Sequence, residues 1–501
     1  MKKLICFIFS ITILITVISS CGEDDKRNSD FVKLISGEFY LRDKPFIPLV
    51  LNYRVSLLSN KNEIWPAPYK GYYNGSHFRA FNIEASLKDM ESDFQLIKDL
   101  GFNCVRLVGI GEQFVKDTTN GVLALKAFFD NDKEEEIILN GKNYELYTKA
   151  IDDVLKIAKQ KELKVIFLMK VSPEIPATEA HLERILKTFK DKDEIFAYDF
   201  FNEPLYFDKP ERDKMDMFAF TKRWYEIFKK NAPNQLCTVG LTGVREVLAW
   251  DPNLVNVDFL SMHPYEYEPK QVRNEIYWYG KYIKKPWIIG ETSLPADGDS
   301  VNYDIQKHFA EATLAQTFSC GGKGYSWWQY KDVEWDSYHM SFMGVLNRKG
   351  ETNTSASEVV QGTLKPVAMV FKSTAIKPDS VKCICLENYY NYSVFKKYKL
   401  RGRIVDDNSK PIEGAIILGW NEDWSKSYHT ISKSDGTFDL MGPFPFYHWR
   451  ASSTIHTVVR GDLQQDLLKI GIDSVPYINI ETLTVKKINI RQDNIPGLKE
   501  N

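Results

Sequence analysis

A chain of 501 residues exceeds one ordinary domain and calls for a large unit joined to a smaller module. An apolar share of 44% fits a water-soluble globular protein, and a net charge of −2 leaves no basic surplus for gripping nucleic acid.

The chain opens on a targeting segment. Lys2 and Lys3 are followed by an apolar run, Leu4 to Ile18, that is too short for an ordinary transmembrane helix. The run closes on Ile18-Ser19-Ser20-Cys21, which resembles a bacterial lipobox. The acidic residues of Cys21-Gly22-Glu23-Asp24-Asp25 are similar to surface-export signals of Bacteroidota lipoproteins. The resemblance implies a leader over 1–20, lipid on Cys21 and a tether over 21–35. The mature protein would then meet the membrane through its lipid alone, at the cell envelope, on the outer membrane and exposed at the surface. A plain signal peptide is the alternative.

From 36 to 375, strand-like apolar runs alternate with amphipathic segments. FIPLVLNY (46–53) precedes a helix near 84–100, and NCVRLVG (103–109) one near 144–161. KVIFLMK (164–170) precedes a helix near 177–190, and IFAYDFF (195–201) one near 211–230. QLCTVGLT (235–242) and VDFLSMH (257–263) lead to a helix near 270–284. PWIIGETS (286–293) leads to one near 304–319, and GYSWWQY (324–330) to a last one around 358–373. This alternation predicts an α/β architecture, a (β/α)8 TIM barrel. The open doubly wound alternative lacks a dinucleotide fingerprint, because Phe114 stands where Gly109-Ile110-Gly111 would need its third glycine.

A linker over 376–395 leads to a different texture over 396–501. Short strands separated by Asp406-Asp407-Asn408 and Ser434-Asp435-Gly436 predict a small β-sandwich, with no helical period before about 462. The series R-I-V-D-D, P-I-E-G-A and S-D-G-T-F resembles carboxypeptidase regulatory-like domains, which implies a non-catalytic accessory unit. Trp420, Trp424, Tyr428 and Trp449 could stack on a ligand, but no pair of strand-end carboxylates accompanies them. A spacer or packing role is expected. Beyond Cys21, the five cysteines 104, 237, 320, 383 and 385 form no disulfide framework and are predicted to be free thiols. No metal or cofactor is expected, since H-E-x-x-H, paired C-x-x-C and a complete EF-hand loop are all missing from the sequence.

Polar residues gather where the predicted strands end. IFAYDFF is a core strand, and desolvating an unpaired carboxylate within it would cost several kcal/mol, yet Asn202-Glu203-Pro204 follows at once. Arg106 lies inside CVRL and, if buried, demands a carboxylate partner. His263-Pro264-Tyr265, Glu291 and Trp327-Trp328 end later strands. Two carboxylates facing each other across a barrel mouth are what glycoside hydrolysis needs.

On Arg106, Asn202-Glu203-Pro204, His263, Tyr265, Glu291 and Trp328, the span 36–372 resembles glycoside hydrolase family 5. The resemblance implies a retaining enzyme cleaving a β-linked polysaccharide, such as β-1,4-mannan or β-glucan. It makes Glu203 the acid/base, held protonated, and Glu291 the nucleophile, kept ionised by Arg106 and Tyr265. Asn202 would bond the sugar 2-hydroxyl, His263 and Tyr265 would orient the carboxyls, and Trp328, rather than Trp327, would stack under the sugar. Many members carry a histidine at the end of strand three, where this chain has Lys170, so sugar identity is left open. The aromatic insertion from Asn60 to Asn82 is a further departure and a candidate lining of the cleft. A catalytically silent surface glycan-binding protein and a transglycosylase are the other readings.

Overall fold

The computed structural model of the chain describes residues 30–498 apart from 74–77, 79–80, 118, 130–132, 173–174, 208–211, 267, 334–336, 349–362, 373–381, 391–392 and 492–494. The expected leader and lipidated Cys21 lie outside the described residues. Among the described residues, no helix is long and apolar enough to cross a membrane.

Strands β1 (Lys33–Ile35), β2 (Glu38–Leu41) and β3 (Lys44–Pro45) form a small antiparallel sheet. Its Phe39 meets the ring edges of Phe196 and Phe259, each at 5.1 Å, and covers the end at which the main strands begin. The last residues of the expected tether therefore belong to the folded unit.

The main sheet is built in chain order from β4 (Leu49–Ser59), β5 (Ile64–Pro68), α1 (Ile83–Asp99), β6 (Cys104–Val108), β7 (Phe114–Asp117), β8 (Val122–Phe128), β9 (Glu134–Ile138) and α2 (Gly141–Gln160). It continues through β10 (Lys164–Leu168), α3 (Pro176–Phe189), β11 (Ile195–Asn202), α4 (Pro204–Phe207), α5 (Lys214–Asn231), β12 (Leu236–Leu241) and β13 (Leu260–Met262). The set ends with α6 (Pro269–Tyr282), β14 (Trp287–Ile289), α7 (Tyr303–Ser319) and β15 (Tyr325–Trp327). Strands β14-β13-β12-β11-β10-β6-β4 pair in parallel in that order, and β15 pairs in parallel with β4. Backbone bonds from Lys323 N to Trp287 O (2.8 Å) and from Ile289 N to Gly324 O (3.1 Å) join β14 to the start of β15.

The local causes are ordinary. IFAYDFF is buried on both faces, as a strand covered by helices requires, so its apolar run hardly alternates. Helix α1 starts where Asn82 Oδ1 accepts from Ala85 N (2.8 Å), and it buries Met90, Phe94 and Ile97 along one face.

Three features differ from expectation. A 3-10 turn, Val244–Leu248, stands between β12 and β13 where barrel alternation asks for a helix. The stretch 114–138 is an antiparallel sheet, β7-β8-β9, with β8 against the outer part of β4. The insertion after residue 60 is not an open loop: β5 pairs with β4, and Trp65, Tyr72 and Tyr73 are buried.

The C-terminal part holds β16 (Tyr398–Val405), β17 (Ile416–Trp420), β18 (Ser427–Ile431), β19 (Thr437–Gly442), β20 (His448–Ser452), β21 (Val459–Asp462), β22 (Lys469–Ile470) and β23 (Pro476–Thr484). They make two four-stranded sheets, β19-β16-β23-β22 and β18-β17-β20-β21. Beyond 462 the chain forms a 3-10 turn and two strands rather than a helix. Along β17, Ala415 and Ile417 enter the core between the sheets, whereas Ile416 and Leu418 join Ile431 in the apolar cluster of the N-terminal part. Two buried faces explain why GAIILGW reads as one apolar run.

One cysteine expectation is corrected. Cys320 and Cys383 are bonded, with Cα atoms 4.7 Å apart, while Cys104, Cys237 and Cys385 are free. A separation of 63 positions hid the pair. The end of α7 meets the described part of the expected linker, which lies along α6 and α7 instead of hanging free. Gln316 Nε2 donates to Ile384 O (2.7 Å), and Asn274 Nδ2 donates to Asn388 Oδ1 (2.8 Å).

Candidate active site

Arg106 is the centre of the site. It lies in β6 with no solvent exposure, and its guanidinium spends its donors on four groups. Nε donates to Asp199 Oδ2 (2.9 Å), and Nη2 lies 2.8 Å from the same oxygen. Nη2 also donates to Asn202 Oδ1 (2.7 Å). Nη1 donates to Asn52 Oδ1 (3.1 Å) and to Glu291 Oε1. A buried guanidinium needs such pairing, and the rigid fork fixes three strands against one another.

Glu203 follows β11 in the left-handed region, with φ 47°, and its N–H donates to Gly240 O at 2.8 Å. A glutamate rarely adopts that conformation, and here the turn takes the carboxyl out of the strand's alternation. His263 Nδ1 stands 3.1 Å from Glu203 Oε1 and 3.7 Å from Glu291 Oε1, while its Nε2 pairs with Ser261 Oγ at 3.2 Å. The ring fits because both flanking strands offer glycine. A Cβ at Gly240 would come within 2.7 Å of the imidazole, and one at Gly290 within 2.8 Å. Tyr265 OH donates to Glu291 Oε2 (3.3 Å). Donor atoms of Glu203, His263 and Glu291 all lie within 4.8 Å of one another.

The electrostatics separate the two carboxyls. Burial raises Glu203 to about 7, against the pull of Arg106 and Arg245. Burial also lowers His263 to about 4, so the imidazole is neutral at pH 7 and puts no fixed charge beside Glu203. For Glu291, burial outweighs His263 and Arg106, and its pKa is raised rather than depressed, contrary to expectation. The two carboxyls titrate as a pair. Only Glu291 has a direct guanidinium partner, so the first proton taken up by the pair belongs on Glu203.

Arg106, Asn202, Glu203, His263, Tyr265 and Glu291 are thus joined by one hydrogen-bonded network. Trp328 borders it through Trp328 N donating to Thr292 O (3.1 Å), one residue after Glu291. Trp328 is half-buried, whereas Trp327 is buried with Nε1 donating to Met343 O (2.9 Å), which separates the two tryptophans. The Trp328–Gln329 peptide is cis. Lys170 is exposed beyond the end of β10. The cluster Glu203–His263–Glu291 has donors that a cation could use, but the guanidinium of Arg106 already supplies a positive charge there.

Two members of the network were not singled out from the sequence. Asp199 is the carboxylate partner that Arg106 demanded, and its Oδ1 also accepts from Gly240 N (3.0 Å). Asn52 Nδ2 donates to Gly290 O (3.1 Å), Ser326 Oγ (2.8 Å) and Trp327 O (3.1 Å), tying three strand ends together. Asp199 is the one charged residue inside an apolar strand, and Asn52 is a polar residue in the apolar run FIPLVLNY, which was the available signal.

The family model for cellulase, glycosyl hydrolase family 5, matches residues 70–331, more than half of the chain. No curated protein matches the sequence. Similar solved structures include a family 2 β-galacturonidase from Eisenbergiella tayi, at 14% identity and TM-score 0.44, covering 68% of this chain and 53% of that one. A β-glucuronidase of Bacteroides uniformis is 11% identical at TM-score 0.45, covering 90% of this chain and 48% of its own. An endo-1,4-β-mannanase from Rhizomucor miehei is 15% identical at TM-score 0.41, covering 60% of this chain and 90% of its own. The chain spans about half the length of the first two. Likenesses at this level carry no argument about the site.

Proposed function

The chain belongs to glycosyl hydrolase family 5, and from that premise we propose that it is a retaining β-glycosidase acting on a β-linked polysaccharide, β-1,4-mannan or β-glucan first among them. The observation that carries the reading is the unequal pair of carboxyls: Glu203 beside a neutral imidazole, and Glu291 on the Arg106 guanidinium. One oxygen of Glu203 and one of Glu291 lie within 4.8 Å of each other, which supports the short separation of a double displacement, where the carboxyls stand about 5 to 5.5 Å apart.

In the first step Glu203 gives its proton to the glycosidic oxygen while Glu291 attacks the anomeric carbon. The C–O bond to the leaving sugar breaks, and a glycosyl ester forms on Glu291. In the second step Glu203, now a carboxylate, takes a proton from water, whose oxygen displaces Glu291 and restores the starting anomer. Asn202 has its Oδ1 committed to Arg106, so its amide NH2 is the donor for the sugar 2-hydroxyl. Tyr265 and His263 orient the carboxyls, and Trp328 supplies the surface beneath the sugar.

The fold in this reading is a closed (β/α)8 barrel over 36–375 with an accessory sandwich over 396–501. The bonds between β14 and the start of β15, and between β15 and β4, support closure. Attachment to the outer surface of the cell envelope through lipid on Cys21 belongs to the same proposal and rests on the leader sequence alone. Cys21→Ser should then leave the protein free of incorporated fatty acid.

The test is a panel of purified β-glycans assayed for new reducing ends, with NMR of the first product anomer. A 2-deoxy-2-fluoro glycoside of the active sugar should trap an ester on Glu291, located by peptide mass. An inverted product, or label on another residue, would overturn the reading.

A further inference from the structure

The C-terminal sandwich carries an aromatic feature that neither core uses. Trp424 is 47% exposed and belongs to neither apolar cluster among the described residues. Its backbone is in the left-handed region, with φ 61°, which a bulky side chain adopts at a cost. The indole stacks on His448, with centroids 3.9 Å apart and planes 12° from parallel. His448 is itself pinned, with Nδ1 2.6 Å from Asp462 Oδ1 and Nε2 3.1 Å from Glu422 O. Trp420 lies 5.3 Å away, and the Arg450 guanidinium sits 5.1 Å from the Trp420 ring and 5.6 Å from that of Trp424. One indole face rests on the imidazole, and 47% of the residue still remains open to solvent. A flat ring already immobilised loses little entropy when a sugar packs on it.

Chain geometry sets this ring at the mouth. Helix α6 begins just after the strand end that bears His263 and Tyr265, and it runs away from the mouth. Gly414 O accepts from Trp278 Nε1 (2.8 Å) near the far end of α6. His429, which pairs with Leu418 in β17, stands 3.9 Å from Glu266, ahead of α6, and 3.8 Å from Glu275 at the middle of that helix. From Gly414 to Leu418 the strand therefore climbs toward the mouth. The hairpin closed by Trp420 and Ser427 continues past Glu266 by about 7 Å, at about 3.3 Å per residue.

The rim on that side is the one that holds the acid. Tyr206 N and Phe207 N donate to Glu203 O at 2.9 and 3.0 Å, and both side chains are exposed, at 71% and 56%. Helix α4 packs on the 3-10 turn Val244–Leu248, and that turn packs on β17 and β20. Glu203 protonates the leaving oxygen, so the departing part of a glycan must pass over these groups.

We infer that the sandwich supplies a distal glycan-binding subsite, with Trp424 as its platform, for the leaving-group side of a long β-linked substrate. The inference rests on the proposed β-glycan substrate, and the exposed Tyr206 and Phe207 beside Glu203 lie on the side of the site where the 3-10 turn meets the sandwich. The sandwich is then a part of the cleft, not a spacer.

The test uses the full-length Glu291→Gln protein with β-1,4-glucomannan, β-1,4-mannan and mixed-linkage β-glucan as probes, measured by affinity electrophoresis. Trp424→Ala should weaken binding of at least one polymer by about tenfold, the worth of one good ring contact, and Trp424→Tyr should restore most of it. A shift below twofold in the alanine variant, with the parent binding well, would overturn the inference and leave the proposed hydrolysis standing. If the parent binds none of the polymers, the inference also fails. Hydrolysis by the unsubstituted protein then decides separately whether the proposed function falls with it.

Discussion

Two constellations in this molecule use the same three side chains. At the mouth stand Glu203, Glu291 and His263, and at the junction with the sandwich stand Glu266, Glu275 and His429, each set with donor atoms within 4.8 Å. In both, burial drives the histidine toward its neutral form and a glutamate toward its protonated one. They differ in their cations. Arg106 bonds directly to Glu291 and three other groups, whereas Arg245 acts on Glu266 and Glu275 through space and its own pKa rises against burial. They differ also in place: the first lies at strand ends, the second where Leu418 and Ile431 seal the sandwich against the barrel. Residue type therefore says little about chemistry. On the proposed mechanism, a direct cation that divides the two carboxyls separates an acid from a nucleophile, and the junction has no such direct cation among the described residues.

The largest test of that difference is Glu291→Gln, which should lower turnover about 10⁴-fold or more while glycan binding persists in affinity electrophoresis. Turnover within tenfold of the parent would move the nucleophile elsewhere. Arg106→Ala leaves Asp199 and Glu291 buried without their partner and should cost about 3–5 kcal/mol in urea unfolding, beyond its effect on activity. A loss under 1 kcal/mol would mean that water replaces the guanidinium at low cost.

At the junction, Leu418→Ala opens an apolar cluster shared by both parts and should cost about 2–5 kcal/mol in the same assay. By the same logic, a barrel truncated near Tyr398 should melt well below the full chain, and equal melting temperatures would make the sandwich dispensable. The pH profile comes next. On the proposed mechanism Glu203 must hold its proton, and burial raises its pKa to about 7. Above that pH, kcat/KM should fall about tenfold per unit, the slope of a single ionisation. A profile flat to pH 9 would exclude Glu203 as the acid.

The smallest effect belongs to Glu266→Gln. Burial and the neighbouring Glu275 raise Glu266 well above the ordinary glutamate value. A raised carboxyl stabilises the fold below its unfolded pKa, and that stabilisation is lost as pH rises through the folded one. Gln copies the protonated form, so the variant should match the parent near pH 4 and melt higher near pH 8. Parallel melting curves would show that Glu266 is ionised without cost.

Much of this was legible before any coordinates. IFAYDFF announced a strand buried on both faces that breaks off before Pro204, so the strand end and the candidate Glu203 came from one observation, although Asp199 inside the run shows that a carboxylate paired with Arg106 can sit in the core. Strand β9 was not legible, because Glu134-Glu135-Glu136 opens it and only pairing with β8 holds such residues extended. The site was legible in part. Arg106 required a carboxylate, but which one depended on register, since Asp199 is the fifth residue of a strand that reaches β6 only through β10. The junction cluster left no mark at all, because Glu266 and His429 are far apart in the chain and no local pattern joins them.

The sequence by itself determined the alternation of elements, the change of texture near residue 396 and the polar residues that end the strands. Each of these is set by local hydrophobic period, turn chemistry and the cost of desolvating charge. Tertiary structure alone decided which carboxyl touches the guanidinium of Arg106 and which one faces His263, the difference on which the proposed roles rest. It alone also decided that Cys320 meets Cys383, that Leu418 seals an interface, and that Trp424 stacks on His448. These are distances between residues remote in the chain, and no local pattern carries them.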